Sequence, residues 1–408
     1  MNKKKTSFVR PHVRLIIAAF FVWRIVLFGV AANADRFLPY KPTFPYADVF
    51  LVTTNLPRFI YSFGNFDGVH YLSIAREGYL ARNYIQAFFP VYPLIFLHTL
   101  HFLTPTPLGD FLWAQLISNG SFLGFLILFY LFVRREKSEK TALYATLSYL
   151  LFPTSLFFGS IYTESLFMLL LVATLILAQQ KKWLLASICA SIASATRVIG
   201  IFLVPLLLIE LFESSLKGKK LTFSLSIITQ EILLFIQTQW KRILMIGIVG
   251  SLGLLIYIGF LQFQFHDALY FDHVESAFGG GRQSTIVLYP QVFYRATKIL
   301  ITARPFDLKY TTYIQEFIAG TLGLLFLLWS FRKTKYSYAL FSLFAFFIPI
   351  TTGTFSSMLR YILPCFPLFI WMGMFFEKKR TFAIAWFAIS ILWLVFNTLL
   401  FVQGYYIA

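Results

Sequence analysis

Charge is scarce in this chain. Asp, Glu, Lys and Arg make up 13% of its 408 residues, against 58% hydrophobic, and the mean hydropathy is +0.73. So few polar groups cannot cover the surface of a water-soluble protein, which excludes an ordinary globular fold. Cysteine is nearly absent. Cys189 and Cys365 both lie inside apolar stretches, so no disulfide framework and no metal-ligand spacing can be built from them, and both read as packing residues. Nucleotide fingerprints are missing too: "GGGR" (279–282) is neither preceded by a strand nor followed by Lys-Ser/Thr, and it reads as an external loop. No Asp-x-Asp pair stands in the polar segments, so the expected site is metal-free, with no cofactor. The net charge of +18 does not point to nucleic acid, because the basic residues form short clusters between apolar runs.

Apolar runs are what the chain has in abundance. Runs of about 17–25 residues recur along it, long enough to cross about 30 Å of hydrocarbon as helices with their backbone satisfied internally. Lys3, Lys4, Lys5, Arg10 and Arg14 precede the first run, Leu15 to Ala32. "AANA" (31–34) resembles a cleavage site, but the run is long for a signal peptide and carries Arg24 in its middle. It reads as a retained first helix with its N-terminus inside.

With basic clusters marking the cytoplasmic side, the orientation alternates without conflict. A long external loop covers 33–109. Within it "AFFPVYPLIFLHTLHFL" (87–103) is broken by Pro90 and Pro93 and reads as re-entrant or interfacial. Spans follow from Phe111 to Val133, at 141–158 and at 163–180, then a hairpin of two short helices over 183–212. An amphipathic cytoplasmic segment at 221–239 leads to a span at 241–262. A second external loop, 263–314, precedes spans at 316–332, 337–353, 361–376 and 381–403. "RREKSEK" (134–140), "KK" (181–182), "KGKK" (217–220), "RKTK" (332–335) and "EKKR" (377–380) then lie inside. The chain is thus expected to be a single all-α, polytopic membrane domain over 1–408, with about eleven transmembrane helices.

Of the 17 acidic residues, all but Glu136, Glu139, Glu210, Glu213, Glu231 and Glu377 fall on the outer side in this topology. Four polar signatures also converge there: Asp67 with His70, "YTES" (162–165), "ATR" (195–197) and "MLRY" (358–361). Ionisable groups at membrane depth are costly, so their convergence on one face points to a site.

Each residue has a bland reading beside the chemical one. Asp67, followed by Gly68, can act as a general base toward a sugar hydroxyl, or it can cap the helix that begins there. His70 can orient a phosphate or serve as a hydrogen-bonded packing residue. Glu164 and Arg197 can belong to a site or bridge to each other. Arg197 and Arg360 carry the guanidinium fork suited to a phosphate. Arg282 and Gln283 are secondary candidates for a substrate rim, and Tyr162 stands beside Glu164 as a candidate substrate contact. The 50 phenylalanines read mainly as packing and lipid-facing surface.

"NFDGVHYLSIAREGYL" followed by "QAFFPVYPLIF" resembles the first external loop of the PIG-V-like mannosyltransferases, which add the second mannose to GPI precursors, and of their bacterial relatives. "FPTSLFFGSIYTESLF" (152–167), "SATRVIGIFLVP" (194–205) and "LRYILPCFPLFI" (359–370) resemble the family's later signatures, in order. The resemblance implies a helical-bundle glycosyltransferase of the GT-C type, with its active site on the extracytoplasmic face. It implies a polyprenyl-phosphate sugar donor, mannose by default, and a glycolipid or glycan acceptor, with inversion at the anomeric carbon. On it, Asp67 takes the position of the catalytic loop aspartate, and His70, Glu164, Arg197 and Arg360 take the other motif positions. Phe66 departs from the tryptophan common there. A lysine-rich, compact chain suits a prokaryotic relative in the plasma (inner) membrane, whose acceptor cannot be a GPI lipid; a eukaryotic one would sit in the endoplasmic reticulum. A transporter or lipid-linked-sugar flippase is the rival class. It predicts two similar halves with matched helix breaks near mid-membrane, and no repeat is visible between the halves.

Overall fold

The computed structural model describes residues 4–42, 44–216, 225–278, 281–283, 285–305 and 307–407. Lys3, the cluster at 217–220, and Gly279 and Gly280 of "GGGR" lie outside the described residues.

Among the described residues every regular element is helical. Numbered in chain order, the longer helices are α1 (Lys4–Asn33), α2 (Asp67–Glu77), α3 (Pro107–Glu136), α4 (Glu139–Leu150), α5 (Glu164–Gln179), α6 (Trp183–Ser194) and α7 (Leu203–Ser215). They continue as α8 (Leu225–Phe265), α9 (Tyr289–Thr302), α10 (Leu308–Lys333), α11 (Tyr336–Ile350), α12 (Phe366–Lys378) and α13 (Arg380–Val402). Six described segments are long and apolar enough to cross a bilayer: Pro11–Arg36, Pro107–Glu136, Val198–Ser215, Thr229–Phe265, Leu308–Lys333 and Arg380–Val402. The chain is an all-α, multi-pass membrane protein. Six is fewer than the eleven expected because several apolar helices are short. The 12 residues of α4 reach only about 18 Å before the chain breaks.

These breaks have local causes. The helix expected over 141–158 stops at Leu150, because Pro153 cannot continue it and disfavours helical backbone at the residue before. A 3₁₀ turn, Ser155–Gly159, follows. A second 3₁₀ turn, Val198–Phe202, separates α6 from α7, so the expected hairpin over 183–212 forms with its corner at Arg197. The reverse error occurs at α8. The amphipathic segment and the span expected after it are one helix of 41 residues, since no glycine or proline interrupts 225–246. The stretch broken by Pro90 and Pro93 forms a π-helix, Val91–His98, packed on α2; the His98 Nδ1 lies 2.6 Å from the Ala75 carbonyl oxygen. Ile95, Phe96, Phe102 and Leu103 stay exposed on its outside.

Close approach of helices rests on small residues. A Cβ at Gly253 of α8 would drive into the Ser191 carbonyl of α6, whose hydroxyl accepts the Gly253 N–H at 2.9 Å.

The polar groups gather at two opposite ends of the bundle. One end joins His12 to Glu139, Arg134 to Glu139, Lys335 to Glu136 and Glu210, and Ser138 and Thr141 to Glu377. These are the loops assigned inside from the basic clusters. The other end holds α2, the two 3₁₀ corners and the segment before α12.

Candidate active site

The site is built at that second end, from the first residues of α2 and α5, the corner at Arg197 and the short helix Met358–Tyr361. Phe66, the residue before α2, has φ 58° and ψ −114°, a conformation that a bulky residue adopts only when its surroundings impose it. Its ring packs on Phe44, Phe401 and Tyr406 at centroid distances of 4.6, 5.8 and 6.1 Å. On either side the backbone is clamped. The Tyr162 hydroxyl donates to the Asn65 carbonyl at 3.1 Å and accepts the Asp67 N–H at 3.2 Å. The Asn65 amide donates to the carbonyls of Phe401 and Val402 at 2.7 and 3.3 Å, and the Ile161 N–H donates to the Phe63 carbonyl at 2.9 Å.

Of the two roles open to Asp67, the capping one is not taken. Phe66, not Asp67, holds the N-cap position of α2, and the Asp67 carboxylate does not cap the helix. It reaches across to Arg360, whose Nη1 donates to Oδ2 at 2.8 Å. Arg360 Nε lies 3.0 Å from Oε1 of Glu164, and the same oxygen takes Nη1 of Arg197 at 2.5 Å. Arg197 also donates to the Thr163 hydroxyl at 3.2 Å. The other three sequence signatures thus meet Asp67 in a chain of alternating charges: Asp67, Arg360, Glu164, Arg197. The bridge between Glu164 and Arg197 exists, but as part of this larger cluster.

Aromatic rings wall the cluster. The Arg360 guanidinium lies 5.4 Å from the ring centroids of Phe157 and Tyr162 and 5.5 Å from that of Tyr361; Arg197 lies 5.7 Å from Tyr361. Such rings favour a desolvated cation. Exposure grades outward: the side chain of Glu164 is 4% exposed, Arg360 9%, Arg197 14% and Asp67 27%. Oε2 of Glu164 is buried without a hydrogen-bond partner among the described residues.

The remaining candidates stand apart from this chain of charges. His70 lies one turn along α2 and stacks on Phe88 with ring centroids 4.8 Å apart. Burial pushes its imidazole down to about 4, against the opposing pull of Asp67. It is therefore a neutral packing ring at neutral pH. Tyr162, expected as a substrate contact, is 1% exposed and spends its hydroxyl on the loop backbone. Arg282 pairs with Glu275 and donates to the Tyr361 hydroxyl at 3.3 Å, so it reaches the cluster only through that ring. Gln283 accepts from Arg295 at 3.2 Å. Among the described residues no three His, Cys, Asp or Glu side chains converge as metal ligands.

Sequence reasoning missed Asn65, Thr163 and the strained Phe66. A clue was present, because Asn65 and Phe66 stand inside the motif quoted for Asp67. What Asn65 does, however, is hold backbone 336 positions away, which residue type alone does not reveal.

No protein-family model matches the chain, and no curated protein matches it in sequence. Solved structures do align with it. The apo oligosaccharyltransferase of Archaeoglobus fulgidus aligns over 97% of this chain and 56% of its own, at 12% identity and a TM-score of 0.44. The same enzyme tethered to an acceptor peptide with the NVT sequon gives 97%, 55%, 12% and 0.44. An archaeal oligosaccharyltransferase from that organism, in complex with an inhibitory peptide and a dolichol-phosphate, aligns over 78% of this chain and 48% of its own, at 12% identity and a TM-score of 0.39. The chain spans little more than half the length of the proteins it matches.

Proposed function

We propose that the chain is a membrane glycosyltransferase of the GT-C type. It moves a sugar, mannose by default, from a polyprenyl-phosphate donor to a glycolipid or glycan acceptor on the extracytoplasmic face. The observation that carries this reading is the partly exposed carboxylate of Asp67, held 2.8 Å from an arginine that is linked through Glu164 to a second one. A base beside an anion-binding pair of guanidiniums is what transfer from a lipid phosphate requires. Its place at the end of the bundle opposite the basic loops supports the sidedness.

In this reading the acceptor hydroxyl oxygen forms a bond to the anomeric carbon from the face opposite the phosphate. The bond from that carbon to the phosphate oxygen breaks, its electron pair leaves with the polyprenyl phosphate, and the hydroxyl proton passes to Asp67. Arg360 stabilises the charge that grows on the leaving phosphate. Glu164 and Arg197 are positioning residues that hold Arg360. The aromatic face of Phe66, Phe44 and Tyr406 beside Asp67 suits a sugar ring. The reaction is read as metal-independent, with Arg360 supplying the positive charge at the leaving phosphate.

Membranes carrying the wild type or Asp67→Asn, incubated with radiolabelled polyprenyl-phosphate mannose, test this. The wild type should label a product, EDTA should leave labelling intact, and the variant should lose at least about 100-fold in rate. Equal labelling by the two proteins would remove Asp67 as base; labelling by neither would remove the donor.

A further inference from the structure

Among its described residues the cluster has no cation to spare. It holds two carboxylates and two guanidiniums, and each guanidinium is already committed: Arg197 to Glu164 and Thr163, Arg360 to Asp67 and Glu164. Each guanidinium keeps further N–H groups, but with two charges of each sign in balance a phosphate that enters so buried a site must take the place of one of the carboxylates. Glu164 cannot yield it readily, being 4% exposed and held from two sides by arginines. Asp67 is the outermost member, 27% exposed, and a single contact of 2.8 Å ties it to Arg360. The base is thus also the group that occupies the phosphate's seat.

We infer that the donor phosphate and the Asp67 carboxylate compete for Arg360, so that donor binding itself releases the base. The inference rests on the function proposed above and adds its regulation. Without donor, Oδ2 of Asp67 accepts from Arg360, which holds the carboxylate against the guanidinium. When a phosphate takes the guanidinium face, one charge-assisted bond replaces another, and the carboxylate swings toward the opening where the acceptor must arrive. The exchange favours the phosphate, which can bind the fork through two oxygens where Asp67 uses one. Donor is then bound before acceptor is activated.

The consequence runs against the usual effect of deleting a catalytic group: removing the carboxylate should tighten donor binding. Full-length protein in detergent is titrated with farnesyl phosphate, with farnesol and inorganic phosphate as controls, and binding is followed by calorimetry. Asp67→Asn should bind farnesyl phosphate about tenfold more tightly than wild type. Asp67→Ser should do the same, which guards against a defect peculiar to one variant. In an Arg360→Gln background the gain should vanish, since the contested seat is gone. Should Asp67→Asn bind no better than wild type, or should the gain persist without Arg360, the competition is wrong while the proposed function stands. Should no form prefer farnesyl phosphate to farnesol, the donor class itself falls and the competition with it. Preference for inorganic phosphate over the lipid would identify an anion site without a polyprenyl donor and would overturn both.

Discussion

At the scale of the residue, the site divides into side chains that act through charge and side chains that hold backbone. The first kind was legible in the sequence. Asp67, Glu164, Arg197 and Arg360 stand out because an ionisable group at the edge of an apolar run is costly to keep. The second kind was not. Tyr162 shows the difference: its hydroxyl satisfies the Asp67 N–H and the Asn65 carbonyl at once. Tyr162→Phe leaves both groups without that partner, at a cost of about 1–3 kcal/mol. The expected result is a rate lowered about 10- to 100-fold, because the loop that carries Asp67 shifts while the arginines stay. Steady-state kinetics in membranes would check this, and an unchanged kcat would show that the loop needs no such clamp. His70 belongs to neither kind. Its pairing with Asp67 in the motif suggested chemistry, but its ring is a buried face against Phe88.

At the scale of the element, composition located the helices well and their ends poorly. Long apolar runs define α1, α3, α10 and α13 within several residues over their membrane-crossing parts. The errors cluster where two local rules oppose each other. Pro153 ended α4 early, whereas the polar stretch "QTQWKR" did not end α8, because polarity alone breaks no hydrogen bond. Helix contacts likewise depend on details a hydropathy profile averages out. Gly253 lets α8 lie against the Ser191 carbonyl of α6. Gly253→Val inserts a branched side chain there and should destabilise the protein by about 1–3 kcal/mol, lowering Tm in detergent. A wild-type Tm would mean that α6 and α8 can part without cost. The same contact carries the corner at Arg197, so the variant should also lose activity in proportion.

At the scale of the whole molecule, the alternation of charge along the chain is a statement about two ends. The loops rich in lysine and arginine bond to one another at one end, and the acidic signatures meet at the other. This was legible because the positive-inside rule acts on each loop separately and needs no knowledge of packing. Single-cysteine variants give the check, with Cys189 and Cys365 first replaced by serine. In intact cells a membrane-impermeant maleimide should label Lys41→Cys, and should label Lys140→Cys only after permeabilisation. Labelling of both before permeabilisation would invert the sidedness on which the proposed activity depends.

The grip of Asn65 on the carbonyls of Phe401 and Val402 joins positions 336 and 337 residues apart. Close by, the Lys41 N–H donates to the Gln403 carbonyl at 2.8 Å, and the Gln403 amide reaches Asp35 at 2.8 Å. One side of each contact is therefore synthesised long before the other. The loop that bears Asp67 has its contacts to Ile161 and Tyr162 within reach early, but the hold of Asn65 on Phe401 and Val402 forms only when α13 arrives. A nascent chain stalled after Arg360 but before Phe401 carries all four charged groups of the cluster and still lacks the anchor that sets them. The geometry of the cluster is thus completed only when α13 is in place.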